Sequence, residues 1–202
     1  MNQFLQNSSK KIRAKQILSV SVILFVTCLA ACKSKDKQTK EAFFPILSFI
    51  KSQVAHVDTS LYRIIKLVRV DSTWDTSYIK REEFRTYASD FLEMPDLADK
   101  SYATAYDESK FYDASLNRVI ITYTPRDRTL QSIQREEVTI EPGEQGKDRV
   151  KNIIVDKRTT AKDSVTEIKR MLWNVDESFQ VTTIIEKPGR PDSIQVTMIN
   201  WE

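Results

Sequence analysis

From Val119 to the end, the chain changes between β-rich runs and turn signals every 12 to 16 residues, and nothing else in it narrows the choice of fold as much. The runs lie at 119–124, 130–140, 149–158, 165–175, 179–186 and 194–201. In the fifth, Phe179, Val181, Thr183 and Ile185 alternate with Gln180, Thr182, Ile184 and Glu186. In the last, Ile194, Val196 and Met198 alternate with Gln195, Thr197 and Ile199. Successive side chains of a strand point to opposite faces, so this alternation predicts a sheet with two unlike faces. Short runs with turns between them predict an antiparallel meander. Two of the three glycines follow proline, in Pro142-Gly143 and Pro188-Gly189, and a type II turn is expected at each.

Before residue 100 the period differs. Ile46, Phe49, Ile50, Gln53, Val54 and Val57 recur at helical spacing, with Lys51, Ser52 and Ala55 opposite. Pro45 suits a first-turn position, where its missing N–H costs nothing. A second helix is expected over 80–93, with Phe84, Tyr87, Ala88, Phe91 and Leu92 on one face and Glu82, Thr86, Ser89 and Glu93 on the other. Pro95 follows its end. Between the helices, Leu61–Val70 is dense in β-branched residues and reads as a strand; a continuation of the first helix is the alternative. Residues 71–75 read as a turn. The expected fold is α+β: two N-terminal amphipathic helices packed on one face of a large antiparallel β-meander sheet. Phe49, Ile50, Val54, Phe84 and Phe91 are the expected helical core residues. No internal repeat is visible, and 42–202 reads as a single domain.

The N-terminal stretch has another character. Lys10, Lys11, Arg13 and Lys15 precede an apolar run from about Ile17 to Ala31, shorter than the roughly 20 residues a membrane span needs. A basic start before such a run matches a secretory signal. The run ends on Leu29-Ala30-Ala31-Cys32, which resembles the lipobox of bacterial lipoproteins. The resemblance implies a signal peptide over 1–31 and cleavage before Cys32. Leu29 would be the apolar recognition residue, and Ala30 and Ala31 the small residues at the cut. Cys32 would carry a diacylglycerol on sulfur and an acyl chain on its new amino group. A plain signal anchor with an incidental cysteine is the alternative. Lys33, where inner-membrane lipoproteins of this type commonly carry Asp, implies the outer membrane, on its periplasmic face. The segment 33–41, KSKDKQTKE, has no apolar residue and reads as a solvated tether, so that 32–41 joins anchor to domain.

Cleavage there would reverse the charge balance. Of 31 Lys+Arg, four fall within 1–31, which holds no acid; 27 bases then face 28 acids. The basic excess therefore belongs to the leader and gives no support to nucleic acid as a partner. Of the two cysteines, Cys28 would leave with the leader and Cys32 would be lipidated, so no disulfide or thiol chemistry is expected.

The stretches FFPILSFIKSQV, KLVRVDSTWDTSYIKREEF, FLEMPDL, ITYTP and MLWNVDESFQV resemble a family of uncharacterised lipoproteins of Bacteroidota. That likeness implies an address and a chain length. It implies no activity and no catalytic residues.

Catalytic and metal sites find little support. His56 is the single histidine and has no catalytic motif near it in sequence, and one histidine with no free cysteine gives a zinc or transition-metal site little support. Only three glycines are present and no phosphate loop can be drawn. The acids Asp71, Asp75, Glu82-Glu83, Asp107-Glu108 and Glu136-Glu137 read as solvated faces and turns. Trp173 and Phe179 are expected to pack across a hairpin, and Trp201 ends the last strand. Trp74, in DSTWDTS, is the candidate partner-binding residue, with a lid over the core edge as the plainer reading. Apart from the lipid on Cys32, no cofactor is expected. The first functional expectation is therefore a non-enzymatic, lipid-anchored envelope domain that binds a partner protein or envelope component. A carrier or sensor of an apolar ligand, held between a curved sheet and the helices, is the alternative; an unrecognised hydrolase comes third. The two leading readings differ in whether the inner face of the sheet is filled or hollow.

Fatty-acid labelling of wild type and Cys32→Ala tests the anchor. Label and membrane association are expected only in wild type; membrane retention without label in both would leave the signal-anchor reading.

Overall fold

A computed structural model describes residues 42–70 and 72–201, which fall within one compact unit. Its centre is a single sheet of nine strands, all antiparallel, accompanied by a few short helices. Helix α1 (Ile46–Thr59) comes first, then β1 (Ile64–Val70) and β2 (Thr73–Tyr78). Two helical turns follow, α2 (Arg81–Tyr87) and α3 (Ser89–Leu92). The rest is β3 (Tyr106–Asp113), β4 (Arg118–Pro125), β5 (Ile133–Glu141), β6 (Arg149–Thr160), β7 (Thr166–Asn174), β8 (Ser178–Glu186) and β9 (Ser193–Trp201). The sheet order is β2-β1-β9-β8-β7-β6-β5-β4-β3. Strands β3 to β9 form an unbroken meander, and β1 pairs with β9, so among the described residues the first strand lies beside the last. Among the described residues no helix is long and apolar enough to cross a membrane.

The registers put one set of side chains on the inner face. Trp173 lies opposite both Ile153 and Phe179, Phe179 opposite Ile199, and Ile64 opposite Trp201. All six are buried. The rings of Trp173 and Phe179 stack at 5.2 Å between centroids with 16° between planes. The short helices bring further rings to this cluster: Phe84 meets Phe179 and Trp201 edge-on, and Phe91 meets Trp173 and Phe179. Such edge-to-face pairs contribute beyond simple burial. Ile46, Leu47, Ile50, Val54 and Val57 form the buried stripe of α1.

Several expectations need correction. The run over 71–75 is not a turn throughout, because Thr73, Trp74 and Asp75 belong to β2, which pairs with β1 from Val70↔Thr73 to Ile65↔Tyr78. The helix over 80–93 is interrupted at Ala88, whose backbone leaves helical angles. Glu83 starts it by accepting the Lys80 N–H at 3.0 Å, as in a capping box. Phe49 is half-buried against Phe44 rather than central, and Leu47 takes the core place. Gly143 has φ −107° and needs no left-handed backbone; it is required because a Cβ there would stand 2.0 Å from the Lys147 carbonyl oxygen. Gly189, at φ +71°, does have the positive φ a type II turn needs. Strand β3 was not expected at all.

Phe91→Ala should cost about 3–5 kcal/mol in denaturant melts, because a large ring is removed from a filled site. Lys51→Ala and Glu82→Ala, on exposed helix faces, should each stay within about 0.5 kcal/mol.

Candidate functional site

The residues expected to carry the lipid and the cleavage, Cys32 with Leu29, Ala30 and Ala31, lie outside the described residues. The remaining candidate, Trp74, is placed on the outer face of β2, the strand at one edge of the sheet. It pairs across to Arg69, whose guanidinium lies 5.5 Å from the Trp74 ring centroid. Four residues on, Tyr78 pairs across to Ile65, and the Arg63 guanidinium lies 6.0 Å from the Tyr78 ring centroid. Trp74 is 48 % exposed and Tyr78 72 %, so neither serves as a lid over the core. Cation and ring stack here in a row along an open sheet edge, an arrangement that stabilises the exposed aromatics in place.

The two edges differ. Strand β3 carries Asp107, Glu108, Lys110 and Asp113 over eight residues, and charge of that density blunts an edge against further pairing. Strand β2 carries one charge, Asp75, and no proline. Its outer rim offers backbone groups with little to turn away an incoming strand.

The inner face holds one group that sequence reasoning misplaced. Glu136 is buried at 1 % exposure, and its Oε1 has no hydrogen-bond partner. It lies between Tyr123 of β4 and Val155 of β6. Burial, with a smaller contribution from the Asp96 charge, pushes its carboxyl up to about 8. Tyr106, whose hydroxyl donates to the Ile133 carbonyl at 3.0 Å, is raised by burial and by Glu136. Burial also raises Tyr123 to about 12, while its hydroxyl accepts the Phe44 N–H at 2.8 Å. A neutral carboxyl beside two tyrosines can store a proton. It cannot reach a substrate while sealed beneath the core. The signal for it was present: Val138 points inward, and two positions earlier on the same strand is Glu136.

His56 is exposed on α1, with Nε2 3.4 Å from the Tyr62 hydroxyl and no acid bonded to it. Among the described residues no cluster of three His, Cys, Asp or Glu could hold a metal ion. The main clefts, of about 380 to 560 Å³, open at the rim and the outer face. Trp201 touches one of them from the end of the sheet, whereas Trp173, Phe179, Phe84 and Phe91 line none of these clefts. Compared with protein-family models, curated proteins and solved structures, the chain matches none.

Glu136 should make stability depend on pH. Its folded pKa lies above the unfolded value, so its protonated form favours the fold fully below about pH 4.5. That contribution is lost as pH rises to about 8. Urea melts at about pH 5 and about pH 8.5 should differ by on the order of a few kcal/mol in wild type. In Glu136→Gln the difference should shrink sharply; parallel behaviour of the two proteins would assign the dependence to other groups.

Proposed function

We propose that this protein is a lipid-anchored, non-enzymatic component of the bacterial cell envelope that binds an envelope partner through the exposed aromatic edge around Trp74. In this reading Cys32 holds the chain to the outer membrane, facing the periplasm. The tether 33–41, at most about 30 Å long when extended, keeps the domain close to that surface. Helix α1 and the interrupted helix α2–α3 act together as a cover over the inner face of the sheet.

One observation carries the partner reading over the carrier reading. The space between sheet and helices is occupied by Trp173, Phe179, Trp201, Phe84 and Phe91, all buried and in mutual ring contact. An apolar ligand would need a chamber of several hundred Å³ in that place. The aromatic surface left over is on the outside, at Trp74 and Tyr78, and exposed aromatics of this kind suit protein interfaces. The hydrolase reading has only the sealed Glu136 to rest on.

Cross-linked capture from membranes, using the full chain with its native anchor, tests the reading. A partner should be recovered with wild type and be lost, or reduced at least about tenfold, with Trp74→Ala at unchanged abundance. Equal recovery with both proteins would remove Trp74 from the interface.

A further inference from the structure

On the outer face, next to Tyr78, a cleft of about 440 Å³ is lined by Leu61, Arg63, Ile65 and Asn200. It is made by pairing rather than by any one segment. Ile65 of β1 lies between Tyr78 of β2 and Asn200 of β9, in a single cross-strand row. Arg63, just before β1, leans over the Tyr78 ring at 6.0 Å and makes no ion pair among the described residues. The Asn200 side chain is more unusual. Its Oδ1 is buried and has no hydrogen-bond partner, whereas its amide nitrogen is neither buried nor bonded. An orphaned carbonyl destabilises the fold, and an apolar residue of the same shape would avoid that cost. Asn200 lines the cleft, and its amide nitrogen is the polar end left accessible for a role there.

Two side chains that line the cleft can donate: the Arg63 guanidinium and the Asn200 amide nitrogen. Among the described residues no acidic side chain lines it. Asp176 and Glu177 line the adjoining cleft with Tyr62 and Met198, which places a bound anion on the Arg63 side of Asn200. Ile65 supplies an apolar floor, and Leu61, 95 % exposed, stands at the rim. A planar guanidinium fork beside an amide donor matches a carboxylate, which can accept from both at once. We propose that this cleft binds a carboxylate borne on a short apolar stem, with the two oxygens on Arg63 and Asn200 and the stem against Ile65 and Leu61. A peptide carboxyl terminus and a fatty acid share that chemistry. The inference is independent of the partner reading at Trp74, because carboxylate binding and partner capture are separate measurements on separate variants.

Calorimetric titration of the full chain with N-acetyl-leucine, hexanoate, N-acetyl-leucinamide and inorganic phosphate tests it. Binding of at least one of the two acids is expected, at least about tenfold tighter than the amide and phosphate. N-acetyl-leucine binding better than hexanoate would identify a peptide terminus as the source, and the reverse a fatty acid. Arg63→Gln should weaken acid binding at least about tenfold without changing the melting temperature. Asn200→Leu should lose acid binding while melting no lower than wild type, since it removes the orphaned carbonyl. Should that variant fail to fold, Arg63→Gln still decides. No binding of either acid by wild type, equal binding of amide or phosphate, or unchanged binding in Arg63→Gln would each overturn the proposal.

Discussion

Trp173 lies nearly flat against Phe179 across the β7–β8 hairpin, and the inner side of the molecule is arranged around that pair. Two large rings in one cross-strand position cannot be covered by neighbouring strands alone. Phe84 and Phe91 arrive from the short helices to close them over, and Trp201 does so from the last strand. Both inner indole nitrogens are left without acceptors, so the cluster is held by apolar burial and ring geometry rather than by polar bonds. Phe84 and Phe91 meet this cluster on the inner face. The other face and one edge remain available, and those are the surfaces on which recognition is proposed.

The outer side is not bare. Arg135 bonds Asp156 at 3.0 Å across β5 and β6 and approaches Glu137 at 3.4 Å; Arg118 and Arg149 share Glu141. Ion pairs as exposed as these contribute little to stability. Their effect is to cover the β4–β6 half of the outer face with paired charge. Toward β1 and β9 the same face carries Leu67, Met198 and Val196, with arginines that stack on rings instead of pairing with acids.

Strands β4 to β9 and the stripe of α1 were legible because each buries one side, and burial writes a period into the sequence. The strands missed, β2 and β3, are the two edges. TWDTSY and YDESKFYD bury almost nothing beyond Tyr106, so no alternation separates them from turn segments. Glu136 was misjudged for the opposite reason: a glutamate in a run of charge looks solvated, and only the phase of Val138 places it inside. The break at Ala88 and the close approach at Gly143 depend on backbone neighbours that no window of sequence contains. Trp74 was legible as a candidate. Arg63 and Asn200 were not, because the pairing of β1 with β9 joins residues from opposite ends of the domain.

That pairing also sets an order of assembly. Hairpins between successive strands can close locally, from β3 through β9, at small cost in chain entropy. Strand β1 has no such neighbour ahead of it; its inner partner is the final strand. The β1–β2 hairpin, with Trp74 on it, can join the sheet only once Ser193–Trp201 is present. Long-range closures of this kind come late and slow folding. The β1–β2 hairpin is thus synthesised before the meander and completed after it. A truncation at the C-terminus would strip the support from its N-terminal strands while leaving most of the meander intact.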